Sequence, residues 1–325
     1  MDSENCRICG LGFLENSKPH YEVIIPLFKS EKHLKQLNSY LTNLKEQIPG
    51  GVLITFVIDG RDEDFIEIVK FSKLNMISCK VIKLSKNFGV GPALHAALAQ
   101  SDACISTAFG SDLQEPVDLF KKFFNLIIAG ECEIALGHRI LRHDPFFIRL
   151  PAAIYWWINR KWIHSESPKG GLDVFAMSSI ARQKFSLLRE LNTNFTSQLL
   201  WIGFTTKWVD FVRTRRIEGK STWTLKRKIK LFADSIYGFS TKPMSFLFWL
   251  GTVSLSIFSL ISLFTLVGKI SGAIQIPGYT MIILVILWGQ SVLLFSLGVM
   301  GGYIVRTFEN STNRPHYVIE KVIKL

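Results

Sequence analysis

Short apolar runs alternate with stretches of helical periodicity through the first half of the chain, and two long uncharged runs occupy its C-terminal part. Tyr21–Leu27, Val52–Asp59, Lys80–Leu84, Cys104–Phe109 and Glu133–Gly137 have the length and apolar content of buried strands. Between them, Glu31–Gln47, Asp64–Ser72, Pro92–Gln100 and Val117–Ile128 read as helices. This alternation predicts an α/β fold, with a mostly parallel sheet covered on both faces. Ligands of such sheets sit outside the carboxyl ends of the strands. The residues to watch are therefore Pro26 to Glu31, Asp59 to Asp62, Ser85 to Gly89 and Gly110 to Pro116. After Arg139 the alternation breaks down, and the aromatic, basic stretch Pro145 to His164 suits an interfacial helix and a buried one equally.

The C-terminal pattern differs in kind. Between Ser245 and Val305 the sole charged residue is Lys269. Residues 245–268 and 279–305 would each rise roughly 35–40 Å as helices, enough to cross a hydrocarbon core of about 30 Å. Gly272, Pro277 and Gly278 break the link between them, which predicts a transmembrane hairpin. Before the first span, residues 222–244 interleave Lys226, Arg227, Lys228 and Lys230 with Trp223, Leu225, Ile229, Leu231 and Phe232, as an amphipathic juxtamembrane helix does. The expected organisation is an N-terminal tail (1–19), a globular head (20–221), this helix, the two spans and a C-terminal tail (306–325).

Charge orients that arrangement. The 325 residues carry 38 Lys and Arg against 26 Asp and Glu, a net +12, and the excess gathers beside the spans. The turn between the spans holds only Lys269, so the positive-inside bias predicts an integral membrane protein with head and C-terminus cytoplasmic. Basic clusters next to a bilayer point to anionic lipid or a phosphorylated substrate rather than to nucleic acid. Five cysteines, an odd number, suit a reducing compartment. Cys6-Arg7-Ile8-Cys9 lacks the second pair a structural zinc site needs, so it reads as part of the tail.

Two segments carry candidate chemistry. In Asp112-Leu113-Gln114-Glu115-Pro116, after a strand, a carboxylate and an amide oxygen two residues apart can reach one hard divalent cation. Such a cation would neutralise nucleotide phosphates. In Arg213-x-x-Arg216-x-x-Gly219-x-Ser221, arginine forks match phosphate oxygens, just where a lipid-linked phosphate would lie.

In order along the chain, Val23-Ile24-Ile25-Pro26-Leu27-Phe28, Ile58-Asp59-Gly60, Asn87-Phe88-Gly89, Asp112-Leu113-Gln114-Glu115-Pro116 and the Arg213–Trp223 pattern resemble the family 2 glycosyltransferases of GT-A fold. With the hairpin and Arg314-Pro315-His316-Tyr317, the chain looks like their polyprenyl-phosphate branch over about residues 20 to 320. The resemblance implies a Rossmann-like GT-A head in which Pro26, Phe28, Glu31, Asp59, Lys86, Ser111, Asp112 and Arg139 contact a nucleotide sugar, with Asp59 on the base. It places Mg2+ or Mn2+ on Asp112 and Gln114, the acceptor phosphate on Arg213, Arg216 and Ser221, and catalysis on Asp112, Asp173 and Arg216. Three positions depart from the family pattern. Gly110 stands where the metal motif usually has its first acid, Ile58 precedes Asp59 in place of a second acid, and Gly171 replaces an acid that Asp173 would supply from two residues on.

The expected activity is inverting transfer of a sugar from a nucleotide donor to polyprenyl phosphate at the cytoplasmic face. The alternative is a catalytically silent relative acting as a membrane-bound binding or assembly subunit, and a homo-oligomer is left open. The acceptor phosphate is already an oxyanion at neutral pH, so the reaction needs alignment and charge stabilisation more than a strong base.

Overall fold

The computed structural model describes residues 21–27, 34–48, 51–140, 157, 160–161, 172–188, 194–212, 234, 237–271, 278–312 and 314–325. Eight strands form one sheet: β1 (Tyr21–Leu27), β2 (Val52–Ile58), β3 (Cys79–Leu84), β4 (Ile105–Ala108), β5 (Ile134–Arg139), β6 (Leu172–Ser178), β7 (Thr206–Phe211) and β8 (Ile319–Lys324). Their order is β7-β5-β6-β4-β1-β2-β3-β8. Strands β1 to β4 run parallel, as do β5 and β7, whereas β6 and β8 are antiparallel to their neighbours. All five apolar runs of the first half are strands.

The inner strands are largely apolar because both faces are covered. Val23, Ile25 and Leu27 of β1 enter one core, while Ile24 between them enters the other. The first core lies under α1 (Leu34–Gln47), α2 (Asp62–Leu74) and α4 (Val117–Ile128). On α4, Val117, Phe120, Phe124 and Ile127 recur at helical spacing and are buried with Leu119 and Phe123. The second core lies under α3 (Val90–Ala99), α5 (Ser179–Phe185) and α6 (Phe195–Trp201). Buried Arg182 of α5 donates to the carbonyls of Leu98, Ser101 and Ala103, satisfying acceptors at the end of α3. Cys79 and Cys132 are buried free thiols.

The C-terminal part holds two long helices, α7 (Lys242–Ile270) and α8 (Tyr279–Ser311), which contain the expected spans and outrun them at their ends. Within α8, Trp288–Ser311 is long and apolar enough to cross a membrane. Large apolar side chains on both helices, among them Phe248, Phe264, Trp288 and Phe295, are exposed. Most of the expected juxtamembrane helix and the link 272–277 lie outside the described residues. Asp234 and Tyr237 are described, and they seat against the end of α8. Arg306 donates to Asp234 at 2.5 Å and lies 5.2 Å over the Tyr237 ring. Tyr303 donates to the Ser240 carbonyl at 2.8 Å.

The expected C-terminal tail, 306–325, contains a strand. Its last residues form β8, which pairs with β3 from Leu84↔Ile319 to Lys80↔Lys324 and closes that side of the sheet.

Candidate functional site

Strand direction gathers the candidate residues on one edge of the sheet. The carboxyl ends of β1, β2, β3, β4, β5 and β7 share that edge, and antiparallel β6 and β8 begin there. Pro26, Asp59, Lys86, the Asp112 loop, Arg139 and the backbone of Asp173 therefore lie along one rim. Phe28, Glu31, Arg213, Arg216 and Ser221 are outside the described residues, as is the side chain of Asp173. The arginine segment continues directly from β7, whose Phe211 pairs with Arg139.

Asp59 organises the β2–β3 side of this rim. Its carboxylate accepts from the Phe88 N–H at 2.7 Å and the Gly89 N–H at 2.9 Å, one bond to each oxygen. Burial raises its pKa, and those two bonds oppose the rise by favouring the charged form. Gly60, at φ +80°, lets the loops meet: a Cβ there would stand 2.2 Å from the Lys86 carbonyl carbon. The Lys86 ammonium lies 5.0 Å over the Phe88 ring, within the Ser85–Gly89 loop. In this structure Asp59 is foremost a clamp on that loop. Each of its oxygens keeps a second acceptor direction for a ligand.

The Asp112 loop is built on strain and space. Leu113 adopts φ +52°, a conformation that costs a non-glycine residue free energy and recurs at functional loops. The Asp112 carboxylate folds back over Gly110, with Oδ1 2.7 Å from where a Cβ would stand. Tyr40, reaching in from α1, donates to the Glu115 carbonyl at 2.7 Å and pins the far side of the loop. Burial foremost, and then the Glu115 charge, push the Tyr40 phenol pKa up, so it stays a donor. Gln114 and Glu115 are buried beneath the loop, and Asp112 is half-buried. The donor set of one carboxylate and one amide oxygen is hard and suits Mg2+ or Mn2+. Among the described residues no group of three or more His, Cys, Asp or Glu could hold a metal ion. The protein would thus supply part of a coordination sphere, which a diphosphate could complete.

Two features, one on the rim and one behind it, had no sequence signal strong enough to single them out. His138 Nδ1 lies 2.6 Å from Asp210 Oδ1, linking the ends of β5 and β7 beside Arg139. His95, on α3 behind the rim, bonds Gln198 Oε1 through Nε2 at 2.8 Å and stacks on Phe185 at 4.7 Å. Burial lowers the His95 pKa from 6.5 to about 4, and the His316 ring on the tail adds to the effect. The folded state therefore favours neutral imidazole, while the unfolded chain protonates near 6.5. That stability is present above pH 6.5 and is lost as pH falls towards 4. The expected slope is about 1.4 kcal/mol per pH unit within that window. Denaturant unfolding at pH 7 and pH 5 should show it, and His95→Gln should flatten the dependence.

The matching family model is Glycosyl transferase family 2, over residues 22–191. The chain belongs to that family and is a glycosyltransferase. It is 26% identical to the uncharacterized glycosyltransferase YkcC of Bacillus subtilis (strain 168), over 93% of each chain. It is also 26% identical to the SfII prophage-derived bactoprenol glucosyl transferase of Shigella flexneri, over 92% of this chain and 97% of that one. Among solved structures, the mannosyltransferase PcManGT from Pyrobaculum calidifontis in complex with GDP-Man and Mn2+ is similar with a TM-score of 0.49. The identity is 11%, over 91% of this chain and 88% of that chain.

Proposed function

We propose that this glycosyltransferase moves a sugar from a nucleotide donor to a polyprenyl phosphate, with inversion, at the cytoplasmic face of a membrane. The observation that carries the reading is one rim on which the Asp59 clamp, the Asp112 loop and the end of β7, where the arginine segment starts, lie together. The chain then continues into helices with exposed apolar surfaces. Similarity over nearly the whole length to a bactoprenol glucosyl transferase supports the acceptor class.

Asp59 would hold the Ser85–Gly89 loop against the nucleoside, with Pro26, Phe28 and Glu31 beside it. Asp112 and Gln114 would hold Mg2+ or Mn2+, whose chemistry is to offset charge on the departing diphosphate. Lys86, Ser111 and Arg139 would contact the donor. Arg213, Arg216 and Ser221 would grip the acceptor phosphate, and Asp173 would face it from the start of β6.

The pairing of β8 with β3 supports two spans. A chain that entered a membrane through α7 would have to return to the same side to complete the sheet, which an even number of crossings allows. At 29 and 33 residues, α7 and α8 are about 44 and 50 Å long. Single cysteines placed at Gly272 and Arg314 are expected to react from opposite faces, with Arg314 shielded from an external reagent. External labelling at Arg314 alone would overturn the orientation.

The activity is tested by incubating the purified full-length protein with radiolabelled UDP- and GDP-sugars and undecaprenyl phosphate. Labelled glycolipid is expected with at least one donor. Donor binding with no transfer to any lipid phosphate would instead favour the silent binding subunit.

A further inference from the structure

The C-terminal tail touches the donor side of the rim at two places and α3, behind it, at a third. The Ser85 N–H donates to the Val318 carbonyl at 2.9 Å, fixing the first residue of the Ser85–Gly89 loop. Two residues on, Glu320 accepts from Lys83 at 2.9 Å. The same buried Lys83 ammonium pairs with Asp62, three residues after Asp59. Lys83 thus joins tail, β3 and the start of α2 in one ion cluster. The His316 ring stands 5.7 Å from that of His95 on α3, the helix that begins where the loop ends. Beside it Tyr317 and Ile319 pack against the second core.

We propose that the tail from His316 to Glu320 is a positioning strap for the donor-side loops, on which ordered nucleotide binding depends. The inference rests on the donor role proposed for this rim. The Ser85–Gly89 loop is held from one side by Asp59 and Gly60 and from the other by the strap. A loop with only one of these attachments samples more conformations, and donor binding would then have to restrict it.

The test compares Glu320→Gln and Tyr317→Ala with Lys324→Gln in the full-length protein. Lys324 pairs with Lys80 at the far end of β8, away from the rim. The readouts are amide hydrogen exchange at Ser85–Gly89 without ligand, binding of UDP and GDP, and the split between donor KM and kcat. Loop exchange and donor KM are expected to rise by about tenfold in the two rim variants, with kcat at saturating donor unchanged. Lys324→Gln should change neither, and Tyr317→Phe should restore the wild-type values. A fall in thermal stability with wild-type loop exchange and donor KM would reduce the strap to a structural edge strand and overturn the proposal. A wild-type protein that binds neither nucleotide, yet shows looser exchange in the variants, would overturn the donor reading and with it the strap's role in binding.

Discussion

Asp112→Ala is expected to lower sugar transfer by at least about two orders of magnitude, roughly 2.7 kcal/mol of transition-state stabilisation. The loop around it offers no ready substitute. Position 110 is glycine, and the Asp112 carboxylate already occupies the space over it. Glu115 is buried, and Tyr40 holds its backbone on the far side of the loop. Among the described residues no cluster of acids stands by to take over a cation. The loop itself should survive the change, since Tyr40 and the Leu113 N–H bond to the Gly110 carbonyl hold it without the Asp112 side chain. Transfer measured at saturating donor with added Mn2+ checks this, alongside the thermal unfolding of the variant. Near-normal transfer that also resists a chelator would remove Asp112 from the metal site. Attention would then move to Asp173, which β6 places on the same rim.

Most of the parallel half of the fold was legible because its strands are buried on both faces. Tyr21–Leu27 and Val117–Ile128 have the predicted bounds, the first helix ends at Gln47 as predicted, and the other early elements differ by one or two residues at an end. Beyond Arg139 the signal failed for a physical reason. Strands β7 and β8 lie at the sheet edges and mix charged with apolar residues, as Thr206–Phe211 and Ile319–Lys324 show. Helices α5 and α6 have seven residues each, too few for a periodicity to emerge. The rim was legible through Asp59 and Asp112, residues that follow apolar runs. The strap was not, because Val318 acts through a backbone carbonyl and Glu320 through a partner 237 positions away. Nothing local in the tail announces either contact.

Gly60→Ala is expected to be the most damaging single-methyl change on the rim. At φ +80° an alanine pays roughly 1–2 kcal/mol for the left-handed conformation alone. The added Cβ would also stand 2.2 Å from the Lys86 carbonyl carbon, 2.4 Å from the Asn87 nitrogen and 2.6 Å from the Lys86 Cα. These are backbone atoms, so no side-chain rotation relieves the contact. The loops must move apart, and the Asp59 bonds to Phe88 and Gly89 stretch with them. Hydrogen bonds to a buried charge contribute about 1.5–3 kcal/mol each, so the total loss should reach about 3 kcal/mol or more. Gly89→Ala provides the control. Gly89 also has positive φ, at +97°, but nothing lies within 4 Å of its would-be Cβ, so that variant should show backbone strain without the clash. Denaturant midpoints and donor KM for the two variants separate the contributions. Gly60→Ala should lose more stability and show a donor KM at least about tenfold higher than Gly89→Ala. Equal losses in both would mean that the close approach of the two loops does not hold the donor side of the rim together.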